Sequence, residues 1–280
     1  MAETFARPEA PWALRLLPAF PAVAHRILAL ANREDADIHE LGKLVRMDPS
    51  FSAELLRFAN SALFSVSREV TSLAQAIMIV GTDRIKTMAT LVAVNRMVRT
   101  SVRIEALRKV WVHSLVTALI AEEAARVARA DRDQAYTAGL LHNLGTLGLM
   151  SAYPQEYSHM LEVSDDFGFD LLNTERDLFE IDHCAAGAYI AHDWDFPDEL
   201  AAVIATHHDE PVPGDVSLGN LIRVGWRLSD VFGYAAFSPA RQWSWEELIA
   251  FLPEDSSSWL TESPETAKVE LATRLASAPL

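Results

Sequence analysis

The chain has 280 residues, half of them hydrophobic, and a net charge of −15 at neutral pH. That length and apolar content suffice for a sizeable core in one large or two smaller domains, while the acidic balance argues against a general nucleic-acid binder, because neutralising phosphates takes clustered Lys and Arg. No apolar run approaches the roughly 18 residues needed to cross a bilayer and the start has no signal-peptide core. The single cysteine, Cys184, excludes an internal disulfide and offers no thiolate metal cluster, so a reducing, cytoplasmic setting is expected.

In chain order, Leu16-Leu-Pro-Ala-Phe-Pro21 leads into an amphipathic helix starting near Pro21. Asp37 with Glu40 predicts a capping box for a helix over 38–47, and Asp48-Pro49 opens the next, expected to run to about Ala62 with Asn60-Ser61 ending it. Ser72 with Gln75 predicts a second capping box, for a helix Leu73–Val80 stopped by Gly81. A further helix is expected over about 82–98. Period-two alternation of β-branched residues is absent, so the first hundred residues read as helices.

Residues 104–129 predict a long helix whose centre, 110–121, is apolar almost all round apart from His113, Ser114 and Thr117. Asp131-Arg-Asp133 reads as a turn, followed by a central helix from about Gln134 through Met150. Within it, the stretch 137–150 carries one ionisable side chain, His142, next to Asn143, with Thr146 one helical turn beyond. An ionisable group in so apolar a helix is either a hydrogen-bonded core pair or part of a metal site.

Beyond Pro154 the pattern gives a helix to about Val163, a loop Ser164–Gly168, a helix Asp170–Phe179, and a helix His183–Ala191 capped by Asp182. His192-Asp193 has the look of a metal dyad but falls at a helix end, where a histidine suits the dipole. Pro197 opens a helix Asp198–His207 that ends in His207-His208. The next, Leu218–Phe232, places Asp230 among apolar neighbours, where a carboxylate needs a cation or a histidine. Ser244 with Glu247 predicts a third capping box, Glu254–Ser258 begins a polar tail, and 264–276 could make one weakly amphipathic helix.

Charge is unevenly placed. Residues 83–109 carry seven basic side chains against two acidic ones, whereas 110–280 carries nine against 28. Arg96, Arg99 and Arg103 are therefore candidates for docking an acidic partner, with a solvated helix face as the alternative.

Several of these runs carry a resemblance. Met47-Asp-Pro-Ser-Phe-Ser-Ala-Glu-Leu-Leu-Arg-Phe-Ala-Asn-Ser-Ala62 and Thr71-Ser-Leu-Ala-Gln-Ala-Ile-Met-Ile-Val-Gly81 resemble the HDOD family of bacterial signalling proteins, relatives of the HD metal phosphohydrolases. Gly139-Leu-Leu-His-Asn-Leu-Gly145, Asp182-His183 with Gly187, Tyr189 and Trp194, and Ala205-Thr-His-His208 are similar to the second half of that pattern, and the likeness covers about 11–235. It implies an all-α fold, an HD-like multi-helix bundle over 101–235 with an N-terminal helical subdomain over 11–100 packed on it, leaving 236–280 as a C-terminal helix and polar tail.

The HD phosphohydrolase pattern would set metal ligands at His113, His142, position 143, His183, His207, His208 and Asp230. Position 143 is Asn where the pattern has the metal-bridging aspartate, and Thr146 stands where the cyclic-dinucleotide branch has a lysine. A neutral amide is a poorer ligand for hard divalent cations, and threonine cannot set a cation against a phosphate. The resemblance thus implies a non-catalytic regulatory module with a vestigial pocket, no cofactor, and other signalling proteins as partners, with neither nucleic acid nor membrane. The alternative is a divergent phosphohydrolase acting on a nucleotide second messenger with one or two weakly held divalent metal ions.

Overall fold

The computed structural model describes residues 104–167, 170–194, 196–237, 241–253 and 257–277 continuously; ahead of them it describes 11–15, 17, 38–47, 49–60, 70–82 and the positions 24, 26, 27, 30, 84, 85, 88, 89 and 92. Among the described residues every regular element is helical: the fold is all-α. A 3-10 turn, Trp12–Leu14, precedes α1 (Ile38–Arg46), α2 (Pro49–Ala59), α3 (Leu73–Val80), α4 (Ile104–Ala128), α5 (Arg132–Leu141), α6 (Leu144–Ala152), α7 (Pro154–Phe167), α8 (Leu171–Phe179), α9 (His183–Asp193), α10 (Asp198–Thr206), α11 (Leu218–Val231), α12 (Trp245–Ile249), α13 (Trp259–Glu262) and α14 (Pro264–Ser277).

The N-terminal helices α1 to α3 bury Leu41, Phe51, Leu55 and Ile77 in a core of their own. α2 ends at Ala59, where Asn60 was expected to stop it, and Asn60 turns its side chain onto Val70: its amide donates to the Val70 carbonyl at 2.8 Å and its oxygen accepts the Val70 N–H at 2.7 Å. One side chain thus closes the connection between α2 and α3 as a strand partner would. Ser72 caps α3 with its backbone alone, so the expected reciprocal box is absent. Asp37 and most of the expected 82–98 helix lie outside the described residues, as do Arg96, Arg99 and Arg103. Arg84 reaches the rest of the molecule, pairing with Asp133 at 3.3 Å and with Glu122 at 3.9 Å.

α4 is the axis of the larger part. Its apolar girth is explained by two neighbours, α5 and α11, whose Ala135, Ala138, Leu221, Ile222 and Leu228 share a core with Val116, Ile120 and Ala124. Contact with α5 is close because Gly139 leaves room: a Cβ there would sit 2.7 Å from the Ala118 Cα. A second core joins α6 through Leu144, Leu147 and Met150 to Tyr157, Phe179 and Ile190.

The single central helix expected over 134–150 is two. It breaks at His142-Asn143, with Asn143 at φ −91°, ψ 22°, in the sparsely populated bridge region. The His142 ring donates from Nδ1 to the Gly139 carbonyl at 2.6 Å, satisfying one of the acceptors that a helix end leaves open. Two further expectations shift. Asp131 caps α5 by accepting from the Gln134 N–H, so Asp131-Arg-Asp133 is the first helical turn, and α7 runs on through the expected loop to Phe167, since Ser164-Asp-Asp has no Gly or Pro to stop it.

Residues 257–277 are more than a polar tail. Leu260, Ala267 and Leu271 enter the α4 core, and Ser258, buried, donates to Glu123 Oε1 at 2.6 Å. The Ser244 and Glu247 capping box forms in both directions.

Candidate functional site

Five helices converge on one buried cluster of imidazoles. His113 comes from the middle of α4, His142 from the break between α5 and α6, His183 from the first turn of α9, and His207-His208 from the end of α10. His142 and His183 are fully buried, and His113 and His207 are 1% exposed. Ring centroids lie 5.4 Å apart for His113 and His142, 5.0 Å for His142 and His207, 5.3 Å for His183 and His207, and 4.8 Å for His183 and His208.

The rings share an orientation. Nδ1 of His142 donates to the Gly139 carbonyl, Nδ1 of His207 to the Ile204 carbonyl at 2.8 Å, and Nδ1 of His113 to the Tyr234 carbonyl at 2.9 Å, with Ser229 Oγ at 2.7 Å. A ring that spends its one proton on Nδ1 turns a lone pair inward from Nε2. Nε2 of His113 and of His142 find no partner, and neither do the side-chain oxygen and nitrogen of buried Asn143. Each such group costs about 1–3 kcal/mol when left unmatched, and a species that accepts the two Nε2 lone pairs would recover part of that cost.

His183 differs, because its Nδ1 faces the Glu175 carboxylate at 2.7 Å and its backbone N–H donates to the same oxygen at 2.8 Å. Glu175 also accepts from the Tyr157 hydroxyl. Burial opposes charge on His183, but the Glu175 carboxylate and a hydrogen bond with Cys184 prevail and lift its pKa to about 10. Its Nε2 then donates to His208 Nε2 at 3.0 Å, with His207 Nε2 at 3.4 Å. Burial, reinforced by neighbouring imidazoles, holds the others neutral: His142 and His207 fall well below the usual range and His208 to about 2. His113 falls to about 4, again through burial, against the pull of the Tyr234 carbonyl.

Asp230, on the last turn of α11, stands at the rim with Oδ1 3.5 Å from His113 Nδ1. Burial raises its carboxyl to about 7, against the pull of Arg227. With His208 it lines a cavity of about 430 Å³ whose wall also holds Trp226, Arg227, Arg241 and Trp243. Arg227 lies over the Trp226 ring and Arg241 over Trp243, 4.7 and 3.6 Å from the centroids.

The structure therefore brings together His113, His142, His183, His207 and His208, with Asp230 at the edge and Asn143 buried next to His142 in the chain. His192 and Asp193 stand exposed at the far end of α9. Thr146 is buried beside the Tyr157 hydroxyl. Two participants were missed. Glu175 sits in a polar-looking run, yet Leu171, Glu175 and Phe179 share one helix face by their spacing of four, which was the available signal. Cys184, set aside as a lone thiol, has its Sγ 3.9 Å from His207 Nδ1 and belongs to a group with His183, His207 and His208 whose ligand atoms all lie within 4.8 Å of one another.

The donor chemistry fits one divalent ion of the borderline class better than a pair of hard ones. The ligand-type atoms gathered here are imidazole nitrogens and the Cys184 sulfur beside His207 Nδ1, which suit Zn²⁺-like ions, whereas hard ions require anionic oxygens, and among the described residues this group holds no carboxylate.

An all-α bundle with this histidine constellation defines an HD-like helical protein. The sequence matches the HDOD domain family over residues 17–210, and the chain belongs to that family. An uncharacterized protein of Treponema pallidum (strain Nichols) is 24% identical over 200 residues, covering 70% of this chain and 38% of that protein, so the chain spans well under half the length of this curated relative. Among solved structures, an HDOD domain protein of unknown function from Geobacter sulfurreducens matches with a TM-score of 0.74 at 22% identity over 92% of both chains. A Marinobacter aquaeolei VT8 protein provisionally named a signal transduction protein gives 0.69 at 25% identity, covering 93% of this chain and 58% of that one. A Shewanella amazonensis SB2B protein provisionally named a phosphohydrolase gives 0.70 at 23% identity, covering 94% and 96%.

Proposed function

We propose that this HDOD protein is a non-catalytic, cytoplasmic signal-transduction module that acts by binding other signalling proteins, with the HD-like pocket retained as an internal centre rather than as an active site. The observation that carries the reading is Asn143. Its neutral amide stands where the HD pattern has the bridging aspartate, its side-chain atoms have no partner, and among the described residues no carboxylate joins the group of His183, Cys184, His207 and His208. Glu175 is fully engaged by Tyr157 and His183, and Asp230 is held at the rim. Two-metal hydrolysis relies on an anionic bridge to hold both ions and activate water, and this pocket supplies none. The name of the Marinobacter relative favours the signalling half of the reading.

The test is co-purification of the untagged full chain from its source cell. Signalling proteins retained equally by wild type and by a His142→Gln variant are the expected result; retention lost on His142→Gln would place the pocket itself in partner binding. A second reading, a divergent phosphohydrolase, draws support from the cavity, where His208 and Asp230 meet Arg227 and Arg241. Metal-dependent turnover abolished by Asp230→Asn would establish it.

A further inference from the structure

Cys184 is the chain's one cysteine, buried next to His183 at the start of α9, and its thiol faces the histidine cluster instead of apolar core. We propose that Cys184 is a metal ligand: that the pocket binds a single thiophilic divalent ion, of the Zn²⁺ class, through His183, His207, His208 and the Cys184 thiolate. The assignment rests on the same pocket as the non-catalytic reading but is tested apart from it, by ligand spectroscopy and not by turnover.

Three observations carry it. First, the four residues bring one ring nitrogen each, and the sulfur, within 4.8 Å of one another, against a separation of about 3.3–3.6 Å expected for N and S donors around tetrahedral zinc; the thiol stands 3.9 Å from His207 Nδ1, so turning the Cys184 side chain toward the Nε2 side closes the set. Second, the ligands are oriented from behind as metal-bound histidines usually are: His207 Nδ1 is fixed by the Ile204 carbonyl and His183 Nδ1 by the Glu175 carboxylate, which turns both Nε2 atoms toward each other, 3.4 Å apart. Third, His183 Nε2 also stands 3.0 Å from His208 Nε2, so it lies near donor spacing from both of the other rings that would share the ion.

The chemistry also selects the ion. Three neutral nitrogens and one thiolate form a Cys-His₃ set, of the kind that closes a tetrahedral site with no open position for substrate. Magnesium, calcium and manganese prefer carboxylate and water oxygens, and Asn143 offers only a neutral amide. Binding displaces the proton from Cys184 and the one from His183 Nε2, leaving Glu175 to hold His183 through Nδ1.

The probe is Co²⁺ titrated into the untagged full chain after chelator treatment. The expected result is one equivalent bound, with strong tetrahedral visible bands and a near-ultraviolet thiolate-to-cobalt charge-transfer band, both bleached by Zn²⁺. Cys184→Ser, its fold checked by circular dichroism, should lose the charge-transfer band, keep visible bands and bind Zn²⁺ at least about tenfold more weakly, the scale on which even outer-shell losses register. A weak six-coordinate spectrum, or wild-type protein without the charge-transfer band, would overturn the assignment whatever the variant does.

Discussion

At the scale of single residues the pocket turns on two side chains. Glu175 is a fully buried carboxylate that accepts from the Tyr157 hydroxyl, the His183 backbone and the His183 ring. Removing one partner of a buried charged pair leaves the other uncompensated, at about 3–5 kcal/mol. Glu175→Ala should therefore lower the urea-unfolding free energy by roughly 3 kcal/mol or more, and a loss within the scatter of surface substitutions would contradict the role given to it. Asn143 poses the opposite case. Asn143→Asp puts an anionic oxygen beside His142, so the variant should be less stable than wild type in chelator, and should bind Mn²⁺, which prefers carboxylate oxygens, about tenfold more tightly, equivalent to about 1.4 kcal/mol. Calorimetric titration with Mn²⁺ reads the second effect; unchanged affinity would mean that residue 143 does not reach an ion in this pocket. His142 and Asp230 were legible as ionisable groups in apolar helices, while His113, His183, His207 and His208 were legible as one set through the resemblance to the HD pattern. Glu175 and Cys184 were not, because a glutamate in a charged helix and a lone cysteine look ordinary until their neighbours are known.

Among elements, the site depends on how closely α6 can approach α9. Gly145 makes the approach possible: a Cβ there would run into the His183 carbonyl and stand 2.5 Å from the Gly187 nitrogen, all backbone that cannot swing aside. Gly145→Ala should push the helices apart at His183, destabilise by about 1–3 kcal/mol or more, and disturb the imidazole cluster with it. Gly219, in the first turn of α11, meets nothing within 4 Å, so Gly219→Ala is the control and should be neutral or stabilising. Thermal unfolding of the two variants decides the point, and equal effects would contradict it. The helix break at His142-Asn143 was illegible for a related reason. No Gly-Pro signal marks it, because a side chain closing on its own helix end, His142 onto Gly139, ends the turn. The caps at Asp182 and Ser244 were legible because their partners lie three residues away.

For the molecule as a whole, the C-terminal helices are tied to the axial helix through Glu123. Burial pushes that carboxyl up, but the hydrogen bonds from Arg126 and Ser258 outweigh it and hold its pKa below the ordinary value of 4.5. A carboxyl depressed by folding stabilises the folded state fully above its unfolded pKa and loses that contribution as pH falls through the folded value. Stability should therefore decline below about pH 4.5 more steeply for wild type than for Glu123→Gln, followed by urea midpoints; parallel curves would contradict the linkage. The all-α class was legible from apolar periodicity, yet the docking of residues 257–277 was not, since their polar composition hides the three apolar side chains that enter the core. Whether the assembled pocket is an active site is the central question. The direct measurement is release of nitrophenol from bis(4-nitrophenyl) phosphate by the untagged full chain supplied with Zn²⁺ or Mn²⁺, beside a His142→Gln control. The account predicts no turnover above that control with either metal, whereas sustained metal-dependent hydrolysis that His142→Gln abolishes would contradict it.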